Sequence, residues 1–309
     1  MSGRGVPLLA LTGVHTHIGA YHILHGVDLE VPAGQTTLLL GRNGAGKTTT
    51  LRTIMGLWKA SAGQVRFDGQ DITKRATPEI SQAGIAYVPE NMGVFADLTV
   101  RENMVLAARG ARDADAIDAE RLRWIFELFP AMKKFWDHPA GLLSGGQKQM
   151  LAVSRAIVEP RKLILVDEPS KGLAPSIIRN MLSAFVQLKA AGATILLVEQ
   201  NFAFARQLGD TVAVMDDGRV VHRGSMAELA EDEALQGRLL GLSLGAHQGA
   251  YRRRADRRAH RRARRPRPGP VWPSACRCCW CRCWRWSRCR WSATCRVGRR
   301  SPWPGSRWA

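Results

Sequence analysis

The segment from Gly41 to Thr48 constrains the fold of this chain more than any other. It reads GRNGAGKT and fits the pattern GxxxxGK[ST], directly after the apolar strand TTLLL and directly before a predicted helix from Thr48 to Leu57. The glycines let the backbone wrap so that its N–H groups point at phosphate oxygens, and the start of the helix adds partial positive charge. The sequence therefore predicts a phosphate-binding loop (P-loop) on a strand–loop–helix unit.

Two side chains of the P-loop suit a nucleotide that carries a magnesium ion. Lys47 would reach the β- and γ-phosphates, and the Thr48 hydroxyl would ligate Mg²⁺. The residues predicted to bind the nucleotide here are Gly41, Arg42, Asn43, Gly44, Ala45, Gly46, Lys47, Thr48 and Thr49.

An acidic pair supplies the carboxylates that a phosphate-bound metal needs. The apolar strand LILVD ends at Asp167, and Glu168 follows it. We predict that Asp167 binds Mg²⁺ through water and that Glu168 polarises the water that attacks the γ-phosphate. An apolar strand ending in two acids is by itself only a capped strand, but the P-loop upstream favours the catalytic interpretation.

A second glycine-rich segment, LSGGQ, lies about 20 residues before the acidic pair and opens a predicted helix, KQMLAVSRAIV. Its position between a P-loop and an acidic strand resembles the signature of ATP-binding-cassette (ABC) ATPases. The N–H groups at the start of this helix suit a second phosphate site. The resemblance implies that the signature of one subunit closes over ATP held by the P-loop of another. The residues implied to touch the partner's ATP are Ser144, Gly145, Gly146 and Gln147.

Further motifs narrow the resemblance to one branch. Over about residues 8–245 the chain resembles the second ATPase of branched-chain amino acid importers, through GRNGAGKTTTLRTIMGL, GIAYVPEN, LTVRENM, LLSGGQKQMLAVSRAI, DEPSKGLAP and ILLVEQN. The resemblance implies a subunit that binds ATP and Mg²⁺ and pairs with a second ATP-binding subunit, identical or paralogous. It also implies two inner-membrane permeases, a periplasmic substrate-binding protein, and a peripheral position on the cytoplasmic face of the bacterial inner membrane.

Other functions stay open at this point. The ATPases of urea or short-amide importers look very similar, and lipopolysaccharide export is a more distant alternative. A cassette ATPase that acts on DNA or ribosomes belongs to another class, but such chains usually carry two cassettes or a long coiled-coil insertion.

Three positions differ from most of the superfamily. Glu90 stands where most members have the Gln that touches Mg²⁺ and the permease, Gln200 where most have His, and Ala174 where most have Asp. The resemblance to this branch implies that Glu90 contacts the ATP site and that Gln200 is catalytic. Gln200 can hydrogen-bond a γ-phosphate but cannot carry a proton as His can. The adenine contact stays open between Ile18, at the expected position, and Tyr21.

The rest of the sequence predicts an α/β fold, a P-loop NTPase cassette with an antiparallel β portion and an α-helical signature subdomain. Residues 8–40 look β-rich, as LLALTGV, a turn that contains histidines, then VDLEV and TTLLL. Apolar residues at helical spacing predict a helical insertion at about 90–145. Strands LILVD and TILLVE, separated by a helix, predict parallel β/α construction. A hairpin should turn at Asp217-Gly218, and a capping box at Ser225 should start the last helix.

Two side-chain clusters allow more than one interpretation. Aromatic residues of the insertion meet a permease or, as we favour, form the insertion's own small core; they are Trp124, Phe126, Phe129, Phe135 and Trp136. Four histidines imitate a metal site, but their spacing fits no tetrahedral pattern and we expect ordinary loop or strand residues. They are His15, His17, His22 and His25.

The formal charge of +19 suggests a nucleic-acid partner, but its distribution argues against one. Residues 251–309 hold 19 of the 45 Lys and Arg and one acidic residue, so this stretch carries about +18 and residues 1–250 about +1. All seven Cys lie in the same stretch, so the body has no disulfide framework, which fits a reducing cytosol. We expect no signal peptide and no membrane span.

We predict a cassette domain at 6–245 and an Arg/Cys/Trp-rich tail at 246–309. The Arg run could bind nucleic acid or an anionic membrane, and the Cys cluster zinc or an iron–sulfur centre, but almost no aliphatic residues are present to build a core. The composition favours out-of-frame translation of GC-rich DNA. An intact reading frame through residue 309 in independent isolates would contradict this hypothesis.

Overall fold

A computed structural model describes residues 6–241, which form two β-sheets and the helices around them. In this range the strands are β1 (Leu9–Ile18), β2 (Tyr21–Val31), β3 (Thr36–Gly41), β4 (Ala60–Phe67), β5 (Gln70–Asp71), β6 (Ile85–Val88), β7 (Leu163–Asp167), β8 (Ile195–Val198), β9 (Thr211–Asp216) and β10 (Arg219–Ser225). The α-helices are α1 (Lys47–Ile54), α2 (Thr77–Gln82), α3 (Val100–Ala107), α4 (Ala119–Leu128), α5 (Pro130–Lys134), α6 (Gly145–Ile157), α7 (Pro175–Ala190), α8 (Phe202–Ala205), α9 (Met226–Glu231) and α10 (Glu233–Leu240). Short 3-10 helices are Ala114–Ala116 and Ala140–Leu142.

The larger sheet has six strands in the order β10-β9-β3-β8-β7-β6, and all neighbours from β9 to β6 run parallel. Its parallel strands are mostly apolar and buried because both faces are covered, whereas β10 at the edge is largely polar. Along β3, for example, Leu38 and Leu40 belong to the core shared with the helices, while Leu39 belongs to the core shared with the second sheet. The predicted parallel β/α construction is therefore present.

The order of these strands brings three sequence segments to one edge. β3, β8 and β7 are neighbours, and Val198 of β8 pairs with both Leu39 of β3 and Asp167 of β7. Since parallel strands end at the same edge of a sheet, the loops that follow these three strands meet there. They carry the P-loop, the acidic pair and Gln200.

The second sheet is antiparallel, in the order β2-β1-β4-β5, and corrects one prediction. The histidines that we placed in a turn lie instead in β1 and β2, and the chain turns between Ile18 and Tyr21. Backbone hydrogen bonds extend the two strands through residues whose polar side chains gave no strand signal.

The segment between β6 and β7 is helical, as predicted, and comprises α3 to α6. Phe129 is buried, and the rings of Phe126 and Trp136 meet edge to face at 5.2 Å. Trp124 and Phe135 are partly buried against the same core, so these aromatic residues pack within the protein. That core is not the insertion's own, as we favoured, because it also includes Leu38 of β3 and Phe185 of α7. Among residues 6–241, no helix combines the length and apolar character that crossing a membrane requires.

The elements from β9 to α10 follow the prediction with one correction. β9 and β10 form a hairpin that turns at Asp217-Gly218, and Ser225 and Glu228 form the expected capping box at the start of α9. α9 is not the last helix, because Asp232 caps α10 with a 2.8 Å hydrogen bond from a backbone N–H. The tail predicted at 246–309, with the last residues of the predicted cassette domain, lies outside the described residues.

Candidate active site

The loop between β3 and α1 curls so tightly that two of its positions require glycine. At Gly41, where φ is 150°, a Cβ would lie 2.3 Å from the Met215 carbonyl oxygen. At Gly46, where φ is 101°, a Cβ would lie 2.9 Å from Leu24 Cδ2. The loop ends at α1, whose first turn, like that of any helix, presents N–H groups without an intrahelical acceptor. This geometry fits an anion such as a phosphate group.

The remaining P-loop residues divide by exposure. Arg42, Asn43 and Gly44 are exposed at the tip of the loop, Ala45 is buried behind it, and Thr49 is half-buried in α1.

Lys47 curls back over its own loop. Its Nζ donates to the carbonyl oxygens of Gly41 at 2.9 Å and Arg42 at 3.1 Å, and lies 3.8 Å from Glu168 Oε1. The residue is only 5% exposed, and this burial lowers the pKa of the ammonium group. A cation is thus held at the mouth of the loop, where a phosphate oxygen can replace the two carbonyls as acceptor.

Asp167 and Thr48 meet in the same pocket. Thr48 Oγ1 donates to Asp167 Oδ1 at 3.1 Å, and the Tyr87 hydroxyl donates to Asp167 Oδ2 at 3.4 Å. Asp167 is fully buried, and burial raises the pKa of its carboxyl to about 6. A hydroxyl and a carboxylate are hard oxygen ligands, so the pair fits Mg²⁺. Tyr87 was not singled out from the sequence, because only the pairing of β6 with β7 places it beside Asp167.

Glu168 is held in an unusual backbone conformation. Its φ of 49° lies in the left-handed region, which costs a non-glycine residue roughly 1 kcal/mol or more, and its N–H donates to the Val198 carbonyl at 2.9 Å. The carboxylate oxygen Oε1 accepts a hydrogen bond from Gln200 Nε2. The structure therefore brings the two predicted catalytic residues into direct contact.

Glu90 reaches this site through a lysine that sequence reasoning missed. Lys171 Nζ lies 2.5 Å from Glu90 Oε1 and 3.3 Å from Glu168 Oε2. The hydrogen bond to Glu90 is the main cause that raises the pKa of Lys171. Lys171 stands three residues after Glu168, but no sequence signal connects either of them with Glu90.

With this geometry in hand, comparison with known proteins decides the family. The sequence model described as ABC transporter matches residues 24–171. The high-affinity branched-chain amino acid transport ATP-binding protein BraG of Pseudomonas aeruginosa is 39% identical over 235 residues, which cover 76% of this chain and 100% of that protein. The chain belongs to the ABC transporter ATPase family.

Two further matches agree with this assignment. LivF of Archaeoglobus fulgidus, a probable branched-chain amino acid transport ATP-binding protein, is 36% identical over 72% of this chain and 93% of its own length. A solved dimeric structure of an ATP-binding cassette in a post-hydrolysis state, bound to ADP and phosphate, has a TM-score of 0.61 and 25% identity. That match covers 71% of this chain and 98% of the solved one. The predicted fold and ATP-hydrolysing activity are confirmed, and ABC cassettes work as dimers with membrane permeases.

The ABC signature of this chain stands at the start of α6. Ser144 is exposed, its N–H donates to Gln147 Oε1 at 2.8 Å, and its Oγ accepts from the Gln147 N–H at 3.4 Å. Gly145 is exposed, whereas Gly146 is buried, and a Cβ at Gly146 would lie 2.6 Å from Ile177 Cγ2 of α7. Among residues 6–241, no hydrogen bond links the signature to the P-loop.

Ala174 and the two candidate adenine contacts lie outside the hydrogen-bonded pocket of this ABC cassette. Ala174 is the N-cap of α7 and offers no side-chain acceptor to the first turn. Tyr21 is 76% exposed and pairs across the hairpin with Ile18, so both candidate adenine contacts lie at the same end of β1 and β2.

The four strand histidines come together in one cluster, in which the His22 ring stacks on those of His15 and His17 and is tilted by 56° from that of His25. His17 and His22 have ring centroids 4.1 Å apart, His22 and His25 are 4.0 Å apart, and His15 Nδ1 lies 3.1 Å from His22 Nε2. Within residues 6–241, no group of three or more His, Cys, Asp or Glu side chains is arranged to hold a metal ion.

Proposed function

We propose that this ABC ATPase drives the import of branched-chain amino acids through a membrane-embedded partner. The observation that carries the proposal is the convergence of Lys47, the Thr48–Asp167 pair and Glu168 at one edge of the parallel sheet. The substrate class rests on the relatives BraG and LivF, both named for branched-chain amino acid transport.

Each side chain of the pocket has a role in hydrolysis of the γ-phosphate. Lys47 and the loop N–H groups hold the β- and γ-phosphates, and Thr48 and Asp167 hold Mg²⁺, which would supply charge neutralisation on the phosphate oxygens. Glu168 orients the attacking water and accepts its proton. The Gln200 side-chain NH₂ donates a hydrogen bond to Glu168. It would donate to the γ-phosphate as well, but the amide cannot transfer a proton.

The remaining half of each ATP site comes from a second subunit. The exposed Ser144 and Gly145 stand at the N-terminus of α6, a helix of 13 residues, where phosphate binding is favoured. We propose that Ser144, Gly145, Gly146 and Gln147 close over ATP held by the partner, as the likeness to a dimeric cassette supports.

A groove beside the helical insertion suits a permease. It has a volume of about 300 Å³, and its walls are mostly small or apolar, with Pro89, Met92 and Ala152 among them. Arg155 and Arg161 also line it, and the buried Nε of each has no acceptor among the described residues. We propose that this face meets one of two inner-membrane permeases. The chain would then lie on the cytoplasmic face of the membrane, and a periplasmic binding protein would deliver the substrate to the permeases on the other side.

Uptake by living cells tests the proposal. Cells whose only copy carries Glu168→Gln should lose uptake of labelled leucine and keep uptake of labelled urea, as measured against wild type. The matched control is Glu228→Gln, because Glu228 is a surface capping residue and glutamine can keep its hydrogen bond. Loss of urea uptake alone would move the protein to the amide importers, and normal uptake of both would overturn the proposed substrate class.

A further inference from the structure

Glu199 is a buried carboxylate that the mechanism above does not use. It follows β8 directly and is 2% exposed. Its Oε1 accepts the Ser170 N–H at 2.9 Å, and its Oε2 accepts the N–H groups of Gln200 at 3.1 Å and Asn201 at 3.2 Å. Among the described residues, no Lys or Arg lies within ion-pair distance of it, and burial raises its pKa.

The three N–H groups belong to the two loops that meet at the reaction centre. Ser170 stands two residues after Glu168 on the loop that follows β7, and Gln200 stands on the loop that follows β8. Two hydrogen bonds therefore connect the loops. The Gln200 side-chain amide donates to the Glu168 carboxylate, and the Ser170 N–H donates to the Glu199 carboxylate. Glu199 touches neither the P-loop nor the Thr48–Asp167 pair by any hydrogen bond within residues 6–241.

The chemistry of the three donors requires a carboxylate at this position. A carboxylate offers acceptors on both oxygens, whereas a glutamine would place an NH₂ group against either the Ser170 N–H or the pair from Gln200 and Asn201. A buried N–H that loses its acceptor is costly, so one loop would have to move. The movement would change the position of Gln200 relative to Glu168.

We propose that Glu199 is a positioning residue for ATP hydrolysis, which sets the geometry of Gln200 against Glu168 by holding both loops through their backbone. The proposal rests on the proposed function of Glu168 and Gln200. It makes Glu199 act through Gln200 and not on the nucleotide, so its loss should affect turnover and not binding.

Steady-state ATP hydrolysis by the full chain tests this role. Glu199→Gln should lower kcat by about 10- to 100-fold, as small misplacements of catalytic groups do. KM and nucleotide affinity should stay within roughly twofold of wild type, since Glu199 makes no hydrogen bond to the P-loop within residues 6–241. Glu199→Asp, which keeps the charge, should recover part of the lost rate.

The matched control is Asn103→Asp in the helical insertion. Asn103 is also fully buried and makes three comparable backbone bonds, from the Phe95 N–H at 3.0 Å and to the carbonyls of Phe95 and Thr99 at 2.9 Å. Asn103→Asp removes two of these hydrogen bonds and should lower the melting temperature. It should not lower kcat when kcat is measured well below that temperature. A Glu199→Gln variant that loses stability but keeps wild-type kcat would overturn the proposal.

A double-mutant cycle decides whether Glu199 acts through Gln200. In a Gln200→Ala background, Glu199→Gln should cause little further loss of kcat. If the two substitutions instead lower kcat by independent factors that multiply, Glu199 does not act through Gln200 and the proposal is overturned. If Glu168→Gln abolishes turnover while Glu199→Gln does not change it, only the role of Glu199 fails; if Glu168→Gln retains turnover, the proposed function itself fails.

Discussion

The P-loop pocket and the signature segment are both glycine-rich starts of helices, yet their surroundings are opposite. In the pocket, side chains from three loops reach one another: Lys47 lies 3.8 Å from Glu168, and Thr48 bonds Asp167 at 3.1 Å. In the signature, the side chains of Ser144 and Gln147 each accept a hydrogen bond from the backbone N–H of the other across the first turn of α6. The pocket is built from residues far apart in the sequence, whereas the hydrogen bonds of the signature join residues only three apart.

The difference follows from where each helix starts. α1 begins at the edge of a parallel sheet, where the ends of neighbouring strands bring other loops close. α6 begins within the helical segment between β6 and β7, and its N-cap Ser144 and first residue Gly145 are exposed. The side chains of the pocket therefore meet within one chain, whereas Ser144 and Gly145 are open to a second surface, as the proposed function requires.

The largest expected effect is the loss of the pocket's cation. Lys47→Ala should weaken ATP binding by roughly 100-fold, because each hydrogen bond from a charged group contributes about 1.5–3 kcal/mol. Titration with a fluorescent nucleotide measures this, and Lys148→Ala, beside the signature on α6, is the control. Equal losses in the two variants would remove the distinction between pocket and signature.

The signature should respond in the opposite way. Ser144→Arg should leave nucleotide binding by one chain within roughly twofold of wild type, and lower ATP hydrolysis by about 100-fold through the partner's site. Ser225→Arg is the matched control, since Ser225 caps α9 with the same box and lies outside the proposed sites. A large loss of binding by the Ser144 variant would show that the signature serves its own P-loop.

Acid should affect the pocket and leave the signature unchanged, since LSGGQ has no titratable side chain. The Asp167 pKa is raised to about 6, so Mg²⁺-dependent nucleotide binding should weaken by about tenfold per pH unit below 6. Protonation of Asp167 has the opposite effect on the free energy of unfolding. The folded chain binds the Asp167 proton more tightly than the unfolded chain does. This stabilisation is therefore present below the ordinary pKa of an aspartate and is lost as pH rises through 6. Nucleotide titrations with and without Mg²⁺ from pH 5 to 8, repeated with Asp167→Asn, measure the effect.

The smallest expected effect concerns the helix on which the signature packs. Ala174→Ser should give α7 the N-cap acceptor that it lacks and stabilise the protein by about 1 kcal/mol, a rise of roughly 2–4 °C in melting temperature. Calorimetry measures the change, and nucleotide affinity should not move. A lower melting temperature would mean that the serine side chain does not reach the first-turn N–H groups.

The sequence by itself determined the local parts of this protein. The P-loop was predictable because its glycines and Lys47 have a fixed spacing and because strand, loop and helix are contiguous. The acidic pair was predictable because its position follows a buried strand. The Ser225 box was predictable from serine and glutamate at fixed spacing. Each of these features depends on residues close in the chain.

Only the tertiary structure decided which distant residues meet. Strand order, with β8 between β3 and β7, brings Gln200 to Glu168 and Glu199 to Ser170, and the pairing of β6 with β7 brings Tyr87 to Asp167. An apolar strand pattern specifies that a strand is buried on both faces but not which strands are its neighbours. Contacts between loops are therefore set by sheet order, which depends on the packing of the whole chain.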